Sequence, residues 1–184
     1  MEDNATQDII RKFDQEENIG SFRDVILSNF SEVDECYVYR TCQNLPCCKN
    51  DQTPLIVRKQ NQQTGKIPRK YSNEELEKMS NQKKLKEVCH YALSVNDTAE
   101  NSIENAKRMY RKLLSKGLSA EELNAYADSR GRYVGLFKIT SDVGMMTGFD
   151  NGHANLLLYE GVNLEEHRIK DFHEIIDYEN DTES

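Results

Sequence analysis

MMTGFDNGHANLLLYE, residues 145–160, holds the strongest short-range fold signal in the chain. A two-residue type I′ turn needs positive φ at both central positions, and Asn151-Gly152 is the pair that supplies them at least cost. The turn is expected to join strands at 145–150 and 153–160. Just upstream, Arg132 to Thr140 alternates, with Tyr133, Phe137 and Ile139 on one side, as a half-buried strand does. Together the three segments predict an antiparallel three-stranded meander in the C-terminal third.

Downstream of the hairpin, Asn163 is placed to cap a closing helix that reaches about Tyr178, with Leu164, Ile169, Phe172 and Ile175 or Ile176 turned inward. An acidic tail, residues 179–184, follows it. Upstream, Ser119 and Glu122 have the spacing of a capping box for a short helix ending near Arg130 and Gly131. Asn96 or Asp97 caps the helix before it. Ile103, Ala106, Met109, Tyr110 and Leu113 make one face of that helix, and Gly117 takes the left-handed position past its end. Ser72 with Glu75 opens a further helix, expected to run to about Leu93 with Leu76, Met79, Leu85, Val88, Cys89 and Ala92 on one side.

Nearer the N-terminus, Phe22, Val25, Ile26 and Phe30 recur at helical spacing behind a cap at Ser21, and an earlier helix is expected from about Thr6 to Glu16. Cys36 to Cys42 reads as a strand with Cys36, Val38, Arg40 and Cys42 on one face. A loop over 44–53, a short strand over 54–59 and a polar stretch near 60–70, read as a mobile loop, complete the chain. The pattern is α+β: about six helices and a small, mainly antiparallel sheet, in a single globular domain over 1–184.

The 184 residues carry a net charge of −8, with a pI near 5.1 and a mean hydropathy of −0.79. Nucleic-acid affinity rests on clustered Lys and Arg, so this balance argues against a general nucleic-acid binder. Neither a signal peptide nor a run of ~20 apolar residues is present, so no membrane span is expected and the cytoplasm is the expected location. Five cysteines cannot all pair within one chain, which predicts reduced thiols. Export that reads no N-terminal signal, as used by secreted bacterial effectors, stays compatible with the sequence.

Three constellations bear on function. Arg58, Lys59, Arg69, Lys70, Arg108 and Arg111 concentrate positive charge in the middle of an acidic chain, which points to a non-enzymatic interaction or regulatory domain whose partner is an acidic protein surface. Cys89 and His153, with Glu165 or Asp171 to orient the imidazole, have the order used by papain-like thiol hydrolases and deamidases. Cys89 is nevertheless placed near the C-terminal end of its helix, where the dipole disfavours a thiolate. Cys36, Cys42, Cys47 and Cys48 offer thiolates for zinc, but gaps of five and four followed by adjacent cysteines fit no compact tetrahedral site. No metal and no cofactor is expected. Gly144, Gly148 and Gly152 lead into a strand, not a helix, and so read as turn glycines instead of a phosphate loop.

Overall fold

A computed structural model describes residues 22–49, 51–53, 71–159 and 161–179. The helix expected at 6–16, the strand at 54–59, the polar loop at 60–70 and all but the first residue of the acidic tail lie outside those residues. Strands β1 (Ser31–Glu32), β2 (Glu35–Cys42), β3 (Leu93–Asn96), β4 (Tyr133–Thr140), β5 (Gly144–Met146), β6 (His153–Leu158) and β7 (Arg168–Ile175) form one antiparallel sheet in the order β1-β5-β6-β3-β2-β4-β7. Among the described residues there are five α-helices: α1 (Arg23–Asn29), α2 (Asn73–Lys78), α3 (Asn81–Cys89), α4 (Ala99–Leu114) and α5 (Ala120–Arg130). The class is α+β, as the sequence predicts. No helix among them is long and apolar enough to cross a membrane.

The hairpin forms where Asn151-Gly152 requires it. Both residues have positive φ, 48° and 75°, and Asp150 and His153 exchange backbone hydrogen bonds of 2.8 and 3.0 Å. The meander does not form. β4 pairs with β2 from Glu35↔Thr140 to Cys42↔Tyr133, then bends and continues as β5, which meets β1 at Glu32↔Met145 and β6 on its other side. Two bent strands thus pair twice, and the sheet curls back on itself toward a barrel. Period-2 alternation then separates an inside from an outside. Val38, Leu93, Val95, Phe137, Ile139, Met146, Ala154 and Leu156 face one interior cluster, capped by Cys47 and Leu164. Phe137, Ile139 and Leu156 are fully buried, each stabilising the fold by about 1.5–3 kcal/mol relative to exposure.

Outside the curl, helices pack in two groups. Phe22, Ile26 and Phe30 of the α1 segment join Leu76, Met79 and Val88 against Met145 and Leu157. Ala106 and Tyr110 of α4 and Leu123 and Ala127 of α5 join Val134, Ile176 and Tyr178. The second group is set by the caps: Thr98 accepts from the Asn101 N–H, Ser119 and Glu122 complete the capping box, and Gly117 ends α4 at φ 76°.

Two expected helices are corrected. The one expected from Ser72 to Leu93 breaks at Met79, because Ser80 caps anew by accepting the Lys83 N–H, and α3 ends at Cys89. Leu93 to Asn96 is instead a strand, whose N–H and C=O groups are satisfied by β6 and β2. The closing helix shrinks to one 3-10 turn (Leu164–His167) after Asn163, and β7 takes its place. β7 covers the open edge of β4, pairing Tyr133 with Ile175 and Gly135 with His173, and Phe172 packs edge-on against Tyr39 at 5.4 Å between ring centroids. Ladder bonds along an otherwise bare edge outweigh the weak helical spacing of that segment.

Candidate functional site

β3 and β6 run through the middle of the sheet, between the strands covered by the two helical groups. Their inward residues are apolar. Their outward residues are Ser94 and Asn96 on β3 and His153, Asn155 and Leu157 on β6, with Leu157 covered by the α1 group and the polar four in the register Asn96↔His153 and Ser94↔Asn155. Ser94 and His153 are therefore diagonal neighbours on one surface, close enough for side chains to meet. The Ser94 Oγ and His153 Nε2 lie 2.8 Å apart.

This pair forms the floor of a cleft of about 610 Å³. One wall is α4, through Asn105, Arg108 and Met109; the other is the end of α5, through Tyr126, Ser129 and Arg130; Asp150 and Asn151 of the hairpin make the rim. The floor is braced from several sides. Arg40, on the inner face of β2, donates Nη1–H to the Ser94 carbonyl at 2.6 Å and Nε–H to the Asp51 carbonyl at 3.0 Å. Asn105 donates to the buried Asn96 side chain at 2.6 Å, which ties α4 to the floor. The Gly152 carbonyl accepts from the Asp97 N–H at 3.1 Å, which ties the hairpin to the start of α4.

The electrostatics of the cleft are one-sided. Burial, and then the guanidinium charges of Arg130 and Arg108, push His153 below its ordinary 6.5, opposed by Asp150. The imidazole is therefore neutral at pH 7, so one ring nitrogen is free to accept a proton. Arg130 closes α5, where a cation is favoured by the helix dipole. Its Nε is buried without a hydrogen-bond partner. A buried donor left unmade costs about 1–3 kcal/mol.

The residues singled out from the sequence are scattered. Cys89 lies at the end of α3, packed against the α1 group, and lines a separate cavity with Ser80, Gln82, Lys83, Leu85 and Lys86. Burial raises its thiol above the usual 9.0. Glu165 is occupied elsewhere: it accepts the Cys47 N–H at 2.8 Å and pairs with Arg168 at 2.8 Å, holding the loop that caps the interior. Asp171 is exposed on β7, the last strand of the sheet. The structure thus does not bring Cys89, His153 and Glu165 together. Of the basic set, Arg108 lines the cleft and Arg111 pairs with Glu104. Arg58, Lys59, Arg69 and Lys70 lie outside the described residues.

The cysteine cluster also divides. Cys42 and Cys47 are buried with their sulfurs 3.1 Å apart, Cys36 lies beside the Met146 sulfur, and Cys48 lies beside Asn44. Hydrogen bonding to Cys42 and burial both push Cys47 upward, toward the protonated thiol. Among the described residues no three His, Cys, Asp or Glu side chains cluster as metal ligands.

Ser94, Arg130, Tyr126 and Asn105 were not singled out from the sequence. The alternation of Leu93 and Val95 with Ser94 and Asn96 is the signal for the first of them. Comparison with protein-family models, with curated proteins and with solved structures gave no match.

Proposed function

We propose that the protein is a binding domain that recognises an anionic group, of the phosphate class, in the cleft between α4, α5 and the β5–β6 hairpin. The observation that carries this reading is the pair of guanidinium side chains, Arg108 and Arg130, lining one cleft in which Asp150 is the single carboxylate. Guanidinium groups suit phosphate because their planar donors match its oxygens. The neutral His153 and the Ser94 hydroxyl supply further hydrogen bonds. Arg108 is also one of the basic residues expected to meet an acidic partner, so the acidic protein surface inferred from the sequence would engage the molecule here through its own anionic group.

Calorimetric titration of the full chain with inorganic pyrophosphate tests the proposal. Binding is expected, weakening as salt rises, and Arg130→Gln should weaken it about tenfold or more, the equivalent of one charge-assisted hydrogen bond. No heat of binding, or an Arg130→Gln variant that binds as tightly as the parent, would overturn it.

A further inference from the structure

Serine is a poor nucleophile unless a base takes its proton as it attacks, and the group attacked must sit where charge building on its oxygens is stabilised. Few places in a fold meet both conditions. At the floor of the cleft the Ser94 Oγ is 2.8 Å from His153 Nε2, in the range for direct proton transfer. With the ring proton on Nδ1, Nε2 accepts the Ser94 hydroxyl proton. The same cleft holds the guanidinium groups of Arg108 and Arg130. Arg40 pins the Ser94 carbonyl from the other side of the sheet, so the nucleophile rests on a rigid strand instead of a loop.

We propose that Ser94 and His153 form a nucleophile–base pair that transfers the phosphoryl group of a phosphate ester, a step that rests on the anion-binding reading of the same cleft. Ser94 Oγ attacks phosphorus while its proton passes to His153 Nε2. The bond from phosphorus to the leaving oxygen breaks, and the imidazolium returns the proton to that oxygen, releasing the alcohol. A phosphoserine remains. Water then attacks phosphorus, gives its proton to Nε2 and displaces Ser94 Oγ, which takes the proton back. The sum is ester and water to alcohol and phosphate, with no change of oxidation state. Arg108 and Arg130 hold the non-bridging oxygens throughout.

Ser94 and Cys89 are five residues apart in the chain, yet only Ser94 meets these conditions. Cys89 has a thiol raised by burial and no histidine within its cavity. The step from the end of α3 into β3 places one nucleophilic side chain on a helix seam and the other on the outer face of the sheet.

Diisopropyl fluorophosphate probes the pair directly, because attack on its phosphorus expels fluoride and leaves a stable adduct on the serine. Full-length protein should acquire one adduct, mapped to Ser94 by peptide mass spectrometry, and pyrophosphate should slow its formation. The groups facing His153 are Arg108 of α4, Arg130 of α5, Asp150 of the hairpin and Ser94 of β3. Labelling should accordingly rise with pH and level off by about pH 7, as it does when a neutral imidazole is the base. His153→Gln, shown to be folded by its urea midpoint, should label about 100-fold more slowly, the range of one general base. Ser94→Ala should take no adduct. Failure of Ser94 to label, or equal labelling in His153→Gln, overturns the nucleophile–base pair while pyrophosphate binding stands. Absence of pyrophosphate binding in the parent removes the phosphate-ester substrate class whatever the labelling shows.

Discussion

The two surfaces of the strand pair β3 and β6 differ in chemistry although they share one backbone. Inside, Leu93, Val95, Ala154 and Leu156 are almost completely buried, with no polar side chain among them. Outside, on alternate residues of the same strands, Ser94, Asn96, His153 and Asn155 carry every hydrogen-bonding group of the pair's side chains. One surface packs the interior; the other anchors helices through Asn96 and Leu157 and leaves Ser94 and His153 facing the cleft. The alternation of side chains along a strand is what lets a segment four to six residues long serve both. The scaffold immobilises the site because the two surfaces share a backbone.

Cutting into the inner surface should have the largest effect and leave the outer one intact. Leu156→Ala removes most of a fully buried side chain and should cost about 2–5 kcal/mol in urea unfolding. The fraction that stays folded should bind pyrophosphate with unchanged affinity. A loss of affinity in folded protein would mean that the two surfaces are not separable.

An intermediate effect is expected at the turn that sets the register of β5 against β6. Gly152 has φ 75°, and a Cβ there would run into the Asn101 side chain and the Asp97 carboxylate. Gly152→Val should cost about 1–3 kcal/mol, since a β-branched residue is forced into the left-handed region. Unlike Leu156→Ala it should also weaken pyrophosphate binding, because Asp150, Asn151 and His153 follow the turn. Coincident urea midpoints for variant and parent would show that this turn does not control the register.

The smallest effects should come from pH, with opposite signs on the two surfaces. His153, outside, is held below its ordinary 6.5 in the folded protein, so as pH falls the unfolded chain binds that proton first. Its contribution to stability is complete above about pH 6.5 and declines below it, until the folded-state value is passed. Cys36 and Cys47, packed with the interior, are held above 9.0, so the unfolded chain loses those protons first as pH rises. Their contribution declines above about pH 9. Melting temperature against pH should therefore show a flatter acid limb in His153→Gln and a flatter alkaline limb in Cys47→Ala, each compared with the parent. Limbs unchanged by either substitution would refute the assignment.

The local signals in the sequence were reliable where one residue type has one cheap conformation. Asn151-Gly152 forms its hairpin, Ser119 with Glu122 and Ser72 with Glu75 form their capping boxes, and Gly117 takes the left-handed position. Cys36, Val38, Arg40 and Cys42 share the inner face of β2 as their alternation requires. One failed reading is local, the missed cap at Ser80 that divides the helix expected from Ser72; the others concern which strand lies beside which. Leu93 is the expected end of a helix and Asn96 or Asp97 the expected cap of the next, yet residues 93–96 pair with β6 and β2; residues 168–175 carry weak helical spacing, yet they cover the edge of β4.

The sequence by itself therefore determined the elements whose geometry is decided within a few residues: turns, caps, the faces of β2 and the α+β class. The bend that carries β4 into β5 and the insertion of β3 between β2 and β6 were decided only in the tertiary structure, as was the meeting of Ser94 with His153 across 59 residues of chain. Burial of apolar surface and satisfaction of strand edges act between segments distant in sequence, so no local pattern encodes their outcome.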